Sequence, residues 1–263
     1  MFLKIRKSLS FLPVTALLAS LVLGFYFMLF ENNFLYLRLI DNRIFWEAFF
    51  YALRIAISTL TLSTLVFLSI YYLLFLLKFR YEKNISFFVF FFQIPIFLPY
   101  AFCAMLFFLL FFPVGIFADI MPFLLGSSSA VVIAYTYKVS AFLLFISLPT
   151  FLHVKQDEIK FHTLYSDNLR QFFFQVLLRR NLKVYTVGIF IVFAYIFNAY
   201  EIPYILGSNL EKMPAILVYE QLNEFGEYSM QKAYFMSFAY FILVLFFLPL
   251  FFILYKILKK VLS

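Results

Sequence analysis

The sequence predicts an all-α, polytopic membrane protein with six transmembrane helices, and three observations carry that expectation. Apolar residues make up 65% of the 263 positions, where soluble domains hold about half. Mean hydropathy is +0.98. Charged residues amount to only 13% and gather at the ends of long apolar runs. Six such runs reach the roughly 20 residues that a helix needs to cross about 30 Å of hydrocarbon. A β-barrel is disfavoured because no run alternates apolar and polar residues with period two, and an open sheet edge would leave backbone groups unpaired in lipid.

The first run, near residues 10–30, follows Lys4, Arg6 and Lys7. It is too long for a signal-peptide core and lacks a small-residue cleavage site, so it reads as an uncleaved span. The second run covers 53–77, and the third, 86–112, contains Pro95 and Pro99, which are expected to kink it. The fourth covers 129–152, the fifth 184–206 with Asn198, Glu201 and Pro203 near its end, and the sixth 235–257. The many phenylalanines, 43 in all, read as lipid-facing filler. One membrane domain fills residues 1–263, with neither a linker nor a useful repeat.

Lysine and arginine set the expected orientation. Clusters at Lys4–Lys7, Lys78–Lys83, Lys155–Lys183 and Lys256–Lys260 fall on one side of the six runs, against only Arg38, Arg43, Lys212 and Lys232 on the other. The positive-inside rule then places both termini in the cytoplasm. The same placement explains the net charge of +8 without a nucleic-acid partner. Cys103 is the single cysteine, and His153 and His162 are the only histidines, too few for a disulfide or a zinc catalytic set. No run holds two carboxylates or a histidine in its interior, which argues against a membrane enzyme. The long outer segment after the fifth run carries Glu211, Glu220, Glu224 and Glu227 and reads as a solvated loop.

One stretch does not belong in lipid: KFHTLYSDNLRQFFFQVLLRR, Lys160 to Arg180. It reads as two short helices with a bend at Ser166–Asn168, since Ser, Asp and Asn hydrogen-bond their own backbone and favour turns and N-caps. The second helix leads into the fifth run. An amphipathic helix on a cytoplasmic loop either lies in the membrane interface or inserts into a groove on a partner. The residues alone leave both open.

This loop resembles that of the inner-membrane permease subunits of binding-protein-dependent ABC importers. Their motif reads E-A-A, three residues, Gly, then a stretch ending in V-x-L-P. With Val176 and Leu178 on V-x-L, Lys160, Phe161 and His162 stand at E-A-A, Ser166 at the glycine and Arg179 at the proline. Gln171 and Phe173 fall where the family often has Gln and Phe. FFQIPIFLPYAFCAMLFFLLF, AVVIAYTYKVSAFLLFISLPTFLHV and IFNAYEIPYILG are similar to the family's third, fourth and fifth spans, and the likeness runs from about Phe45 to Gly207.

The resemblance implies a type I importer fold in a bacterial inner membrane, with a cytoplasmic coupling loop at about 153–183. It implies a cytoplasmic ABC ATPase dimer that binds the ATP, a second permease subunit, and an external solute-binding protein. No cofactor or catalytic residue is expected in this chain. The coupling residues would be Asp157, Glu158, Lys160, Phe161, His162, Leu164, Ser166 and Asp167. Because polar groups inside a membrane are costly and often functional, Gln93, Lys138, Asn198 and Glu201 are candidates for the translocation path. The family's solutes include polyamines, ferric ion, thiamine and small anions. Glu201 would suit a cation, and Lys138 or Arg54 an anion. The alternatives are a substrate-capturing importer subunit that needs no binding protein, a membrane-embedded enzyme, and a non-catalytic scaffold.

Overall fold

The computed structural model describes residues 42–80, 85–111, 126–155, 157–159, 161, 169–207, 211–224 and 226–261. The expected first span lies outside them. Among the described residues the secondary structure is helical and contains no strand. Four helices are long and apolar enough to cross a membrane, or five if one sharply bent pair counts as a single span. Over the described residues the chain is therefore helical, with several helices fit to cross a membrane, consistent with a multi-pass membrane protein.

Helix α1, Arg43–Arg80, has 38 residues and at 1.5 Å per residue measures about 57 Å, well beyond the hydrocarbon thickness. Its overhanging ends are polar, with Arg43 and Glu47 at one and Lys78 and Arg80 at the other. Helix α2 (Ile85–Phe97) and α3 (Tyr100–Phe111) follow, then α4 (Ser128–His153). Ser127 caps α4 by accepting a hydrogen bond from the Ala130 amide. Helix α5 runs from Leu169 to Asn198, and α6 (Glu201–Leu206), α7 (Pro214–Asn223), α8 (Glu227–Phe246) and α9 (Leu248–Val261) complete the described chain.

Helix α4 is the hub, packing against α1, α2, α3, α5 and α6. In its most apolar stretch 61% of residues are buried, against 6% for the Ser229–Lys260 stretch of α8 and α9. Its buried face is rich in small residues, among them Ala130, Ala134, Ser140, Ala141 and Ser147, which let neighbouring backbones come close where lipid supplies no hydrophobic drive. Helix α5 answers with Gly188, where a Cβ would collide with Ile146 Cδ1. Asn181 Nδ2 donates to Ser147 Oγ at 2.8 Å, and Tyr185 donates to Thr64 Oγ1 at 2.6 Å.

The expected third span is not a kinked rod. Its halves meet at 94° across Leu98 and Pro99. Proline lacks the amide that would continue the hydrogen-bond ladder and disfavours helical torsions at the residue before it. The ladder restarts with the Cys103 amide donating to Pro99 O at 2.9 Å. Pro95, by contrast, sits inside α2 without ending it. With 13 and 12 residues, each half is only about 18–20 Å long, so neither crosses the hydrocarbon alone.

The fifth run also divides differently. Its helix begins 15 residues before the expected 184, at Leu169, and stops at Asn198, with α6 as a separate turn and a half. Within it, Phe173–Leu178 is π-helical. Buried positions step by five from Phe172 to Leu177, then by four to Asn181. The wider turn is what lets the adjacent Phe172 and Phe173 both face the core. Phe172 stacks on Phe75 at 5.9 Å, while Phe173 meets Tyr72 edge-on at 4.9 Å.

Candidate functional site

Polar residues gather in three places, and the first is the Leu98–Pro99 break. The break frees a carbonyl, and Lys138 on α4 supplies a donor: its Nζ donates to Leu98 O. The ammonium lies 3.8 Å from the centre of the Tyr100 ring, and the residue is only 4% exposed. The lysine thus gives the freed carbonyl a partner. The rings of Tyr100 and Tyr195 lie 4.8 Å apart. Tyr135, also on α4, is wholly buried. Its hydroxyl has no partner among the described residues. Glu201 is exposed in the first turn of α6.

The other two path candidates lie elsewhere. Gln93 on α2 has a buried amide nitrogen without a partner among the described residues, as does the Tyr71 hydroxyl. Both line a cavity of about 10 Å³ between α1, α2 and α4, close to the space one water occupies. Asn198 turns back on its own helix, donating to Ala194 O at 2.9 Å, and borders a separate hollow of about 410 Å³ under α7 and α8. The fold thus gives Lys138, Gln93 and Asn198 separate surroundings.

At the Arg54 end, residues read as a solvated loop are tied to the helices. Arg54 Nη2 lies 2.7 Å from Glu211 Oε2, and its guanidinium lies 5.3 Å from the Tyr51 ring centre. Lys212 pairs with Glu220 on α7 at 2.7 Å. Tyr240 of α8 donates to Phe45 O at 3.0 Å and stacks on the Phe45 ring. These ties frame an open cavity of about 860 Å³, which Lys232 also lines. No local pattern marks the partners: Arg54 and Glu211 are 157 residues apart, and the tyrosines at the break are a few among 19.

The third place is the start of α5. Glu158 accepts two hydrogen bonds from Arg180, at 2.5 and 3.1 Å, and that pairing holds its carboxyl below the usual carboxylate range. Ile159 beside it is fully buried, while Asp157 and Phe161 are exposed. The remaining expected coupling residues, Lys160, His162, Leu164, Ser166 and Asp167, lie outside the described residues, as does the Ser166–Asn168 bend. Among the described residues no group of three His, Cys, Asp or Glu side chains is placed to hold a metal ion. Neither protein-family models nor curated proteins yield a match to this chain.

Proposed function

We propose that the chain is the transmembrane permease subunit of an ABC importer. It forms part of a solute path with a second permease subunit and receives solute from an external binding protein. It couples to a cytoplasmic ABC ATPase dimer through the 157–178 loop. ATP binds to the ATPase, and this chain performs no catalysis. The reading places the protein in a bacterial inner membrane with both termini in the cytoplasm.

The joint between Glu158 and Arg180 supports this reading best. A coupling element has to transmit force without slack. Ile159 is buried and Glu158 is held by both carboxylate oxygens, while Phe161 is 62% exposed on the same short stretch. Motion imposed on Phe161 by a partner would pass through this joint into α5, an unbroken helix from Leu169 to Asn198. The bent pair α2–α3 is consistent with the broken helices that line transporter sites near the bilayer centre.

The deciding experiment is purification of the tagged chain from its native membrane in mild detergent, with mass spectrometry of accompanying proteins. Recovery of an ABC ATPase and a second permease, lost in the Phe161→Asp, Leu164→Asp variant, is the expected result. Recovery of the chain alone, under conditions that keep a control importer intact, rejects the reading.

A further inference from the structure

The cavity of about 860 Å³ at the Arg54 end is bordered by α1, α7 and α8, and ligand sites commonly measure about 300–1,000 Å³. Its acidic residues are Glu47, Glu211 and Glu220, and each already holds a cation: Arg43 at 2.6 Å, Arg54 at 2.7 Å and Lys212 at 2.7 Å. Lys232 of α8 lines the same cavity, and no ion pair or hydrogen bond engages it among the described residues. Arg54 holds Glu211 through Nη2, which leaves other guanidinium N–H donors for a ligand. The cavity therefore carries a cation in excess of its pairs, with further donors on its wall.

Position along α1 narrows the choice of ligand. Crossing about 30 Å of hydrocarbon takes about 20 residues. With Lys78 and Arg80 at one boundary, the other falls near Ser58, and Arg54 stands about 6 Å beyond it, at the level of the lipid head groups. Toward the hydrocarbon the same helix face continues as an apolar stripe. Phe50, Ile57 and Leu65 stand at helical spacing from Arg54 and are exposed, while Thr61 between them donates its hydroxyl to Ile57 O at 2.7 Å. A polar cavity with a surplus cation, set above an uncovered apolar face, matches an amphiphile. We propose that the cavity binds the head group of an anionic phospholipid, its phosphate held by Lys232 and the remaining donors of Arg54 and its acyl chains lying along Ile57 and Leu65. Basic residues near a membrane surface attract anionic lipids, and Lys and Arg both make strong, charge-assisted hydrogen bonds to phosphate. The site needs only that α1 crosses the membrane, so it stands apart from the permease reading.

The test uses the purified full chain in detergent and thermal unfolding at matched ionic strength. Dihexanoyl-phosphatidylglycerol raises the melting temperature, with a rise that grows with the logarithm of its concentration, and dihexanoyl-phosphatidylcholine does not. Lys232→Gln moves the phosphatidylglycerol response to about fivefold higher concentration, the effect of one basic residue facing an anionic lipid surface. Lys256→Gln, on α9 and not lining the cavity, leaves the response unchanged. Equal responses to the two lipids, no response to either, or one that Lys232→Gln leaves in place overturns the proposal. sn-Glycerol 3-phosphate separates the two sources of phosphate: a response as strong as that to the lipid puts a soluble anion in the cavity and also overturns it. Should Lys232→Gln fail to fold, native mass spectrometry of wild type from micelles holding both lipids decides. Preferential retention of phosphatidylglycerol that is lost in Arg54→Gln supports the site. Equal retention, or a preference that Arg54→Gln leaves intact, overturns it.

Discussion

Lys78 Nζ lies 2.8 Å from the carbonyl oxygen of Phe151, although 73 residues separate the two in the chain. A second bond to Leu152 O at 3.3 Å and the Phe151 ring 4.9 Å away complete the setting. The last carbonyls of a helix have no partners within it, and a cation there also meets the negative end of the helix dipole. One lysine at the end of α1 thus closes the end of α4 and joins the two helices that share the most extensive mutual contact.

Lys78→Met keeps most of the side-chain bulk and removes both hydrogen bonds. It leaves buried carbonyls unsatisfied, which costs about 1–3 kcal/mol. The expected readout is a lower melting temperature in detergent with unchanged membrane insertion. An unaltered melt would show that the carbonyls find other donors.

Reversing either partner of the Glu158–Arg180 pair should uncouple transport, and reversing both should restore it. Glu158→Arg and Arg180→Glu singly place like charges at the joint, while the double variant rebuilds the pair. ATP-driven uptake in vesicles is the measurement. Because both side chains are more than a third exposed, the stability effect is small, about 1 kcal/mol or less after screening. Sign follows from the lowered Glu158 pKa. The contribution is present above the ordinary carboxylate range and is lost as pH falls through the lowered value.

Truncating the two phenylalanines at the π turn should be costly. Phe172→Ala and Phe173→Ala each remove a side chain that is 1% exposed, and such changes typically cost about 3–5 kcal/mol. Deleting one residue between Phe173 and Leu178 would close the wider turn and rotate one phenylalanine off the core. We expect poor recovery of that deletion variant from membranes, whereas Phe174→Ala, at an exposed position, should behave as wild type.

Arg54→Ala should loosen α7 without unfolding the bundle. The pair is half exposed, so global stability changes by less than about 1 kcal/mol. Hydrogen exchange in Pro214–Asn223 should rise severalfold and stay unchanged in α4. Faster exchange throughout the protein would refute a local role.

Orientation can be checked with single cysteines in a Cys103→Ser background. Gln221→Cys should react with a membrane-impermeant thiol reagent from outside, and Asp157→Cys only after the membrane is opened. The opposite pattern would invert the assignment of the coupling loop.

The long apolar runs, the helical class and the polar interruption around Lys160–Arg180 are legible in the sequence, because each depends on composition and spacing within a few turns of chain. So was a second helix leading from the loop into the fifth run, but not that the two form one helix from Leu169 to Asn198. Pro99 announced a disturbance but not its size: Pro95, four residues earlier, and Pro149 in α4 both sit inside continuous helices. At the Pro99 break the Leu98 carbonyl finds its donor 40 residues away on α4, and a partner so distant leaves no local mark. The π turn was equally hidden, since FFFQVLL carries no breaker and the extra residue per turn answers to the aromatic cluster it meets.

By itself, then, the sequence determined that this is a helical membrane protein, and where its apolar stretches lie, because the cost of unpaired backbone and of charge in hydrocarbon acts locally on every segment. Tertiary structure alone decided which polar groups meet. Lys138 reaches Leu98, Arg54 reaches Glu211, and Glu158 reaches Arg180 across 40, 157 and 22 residues, because a charged group takes its partner from whichever segment packs beside it, and that is set by how the helices fit together.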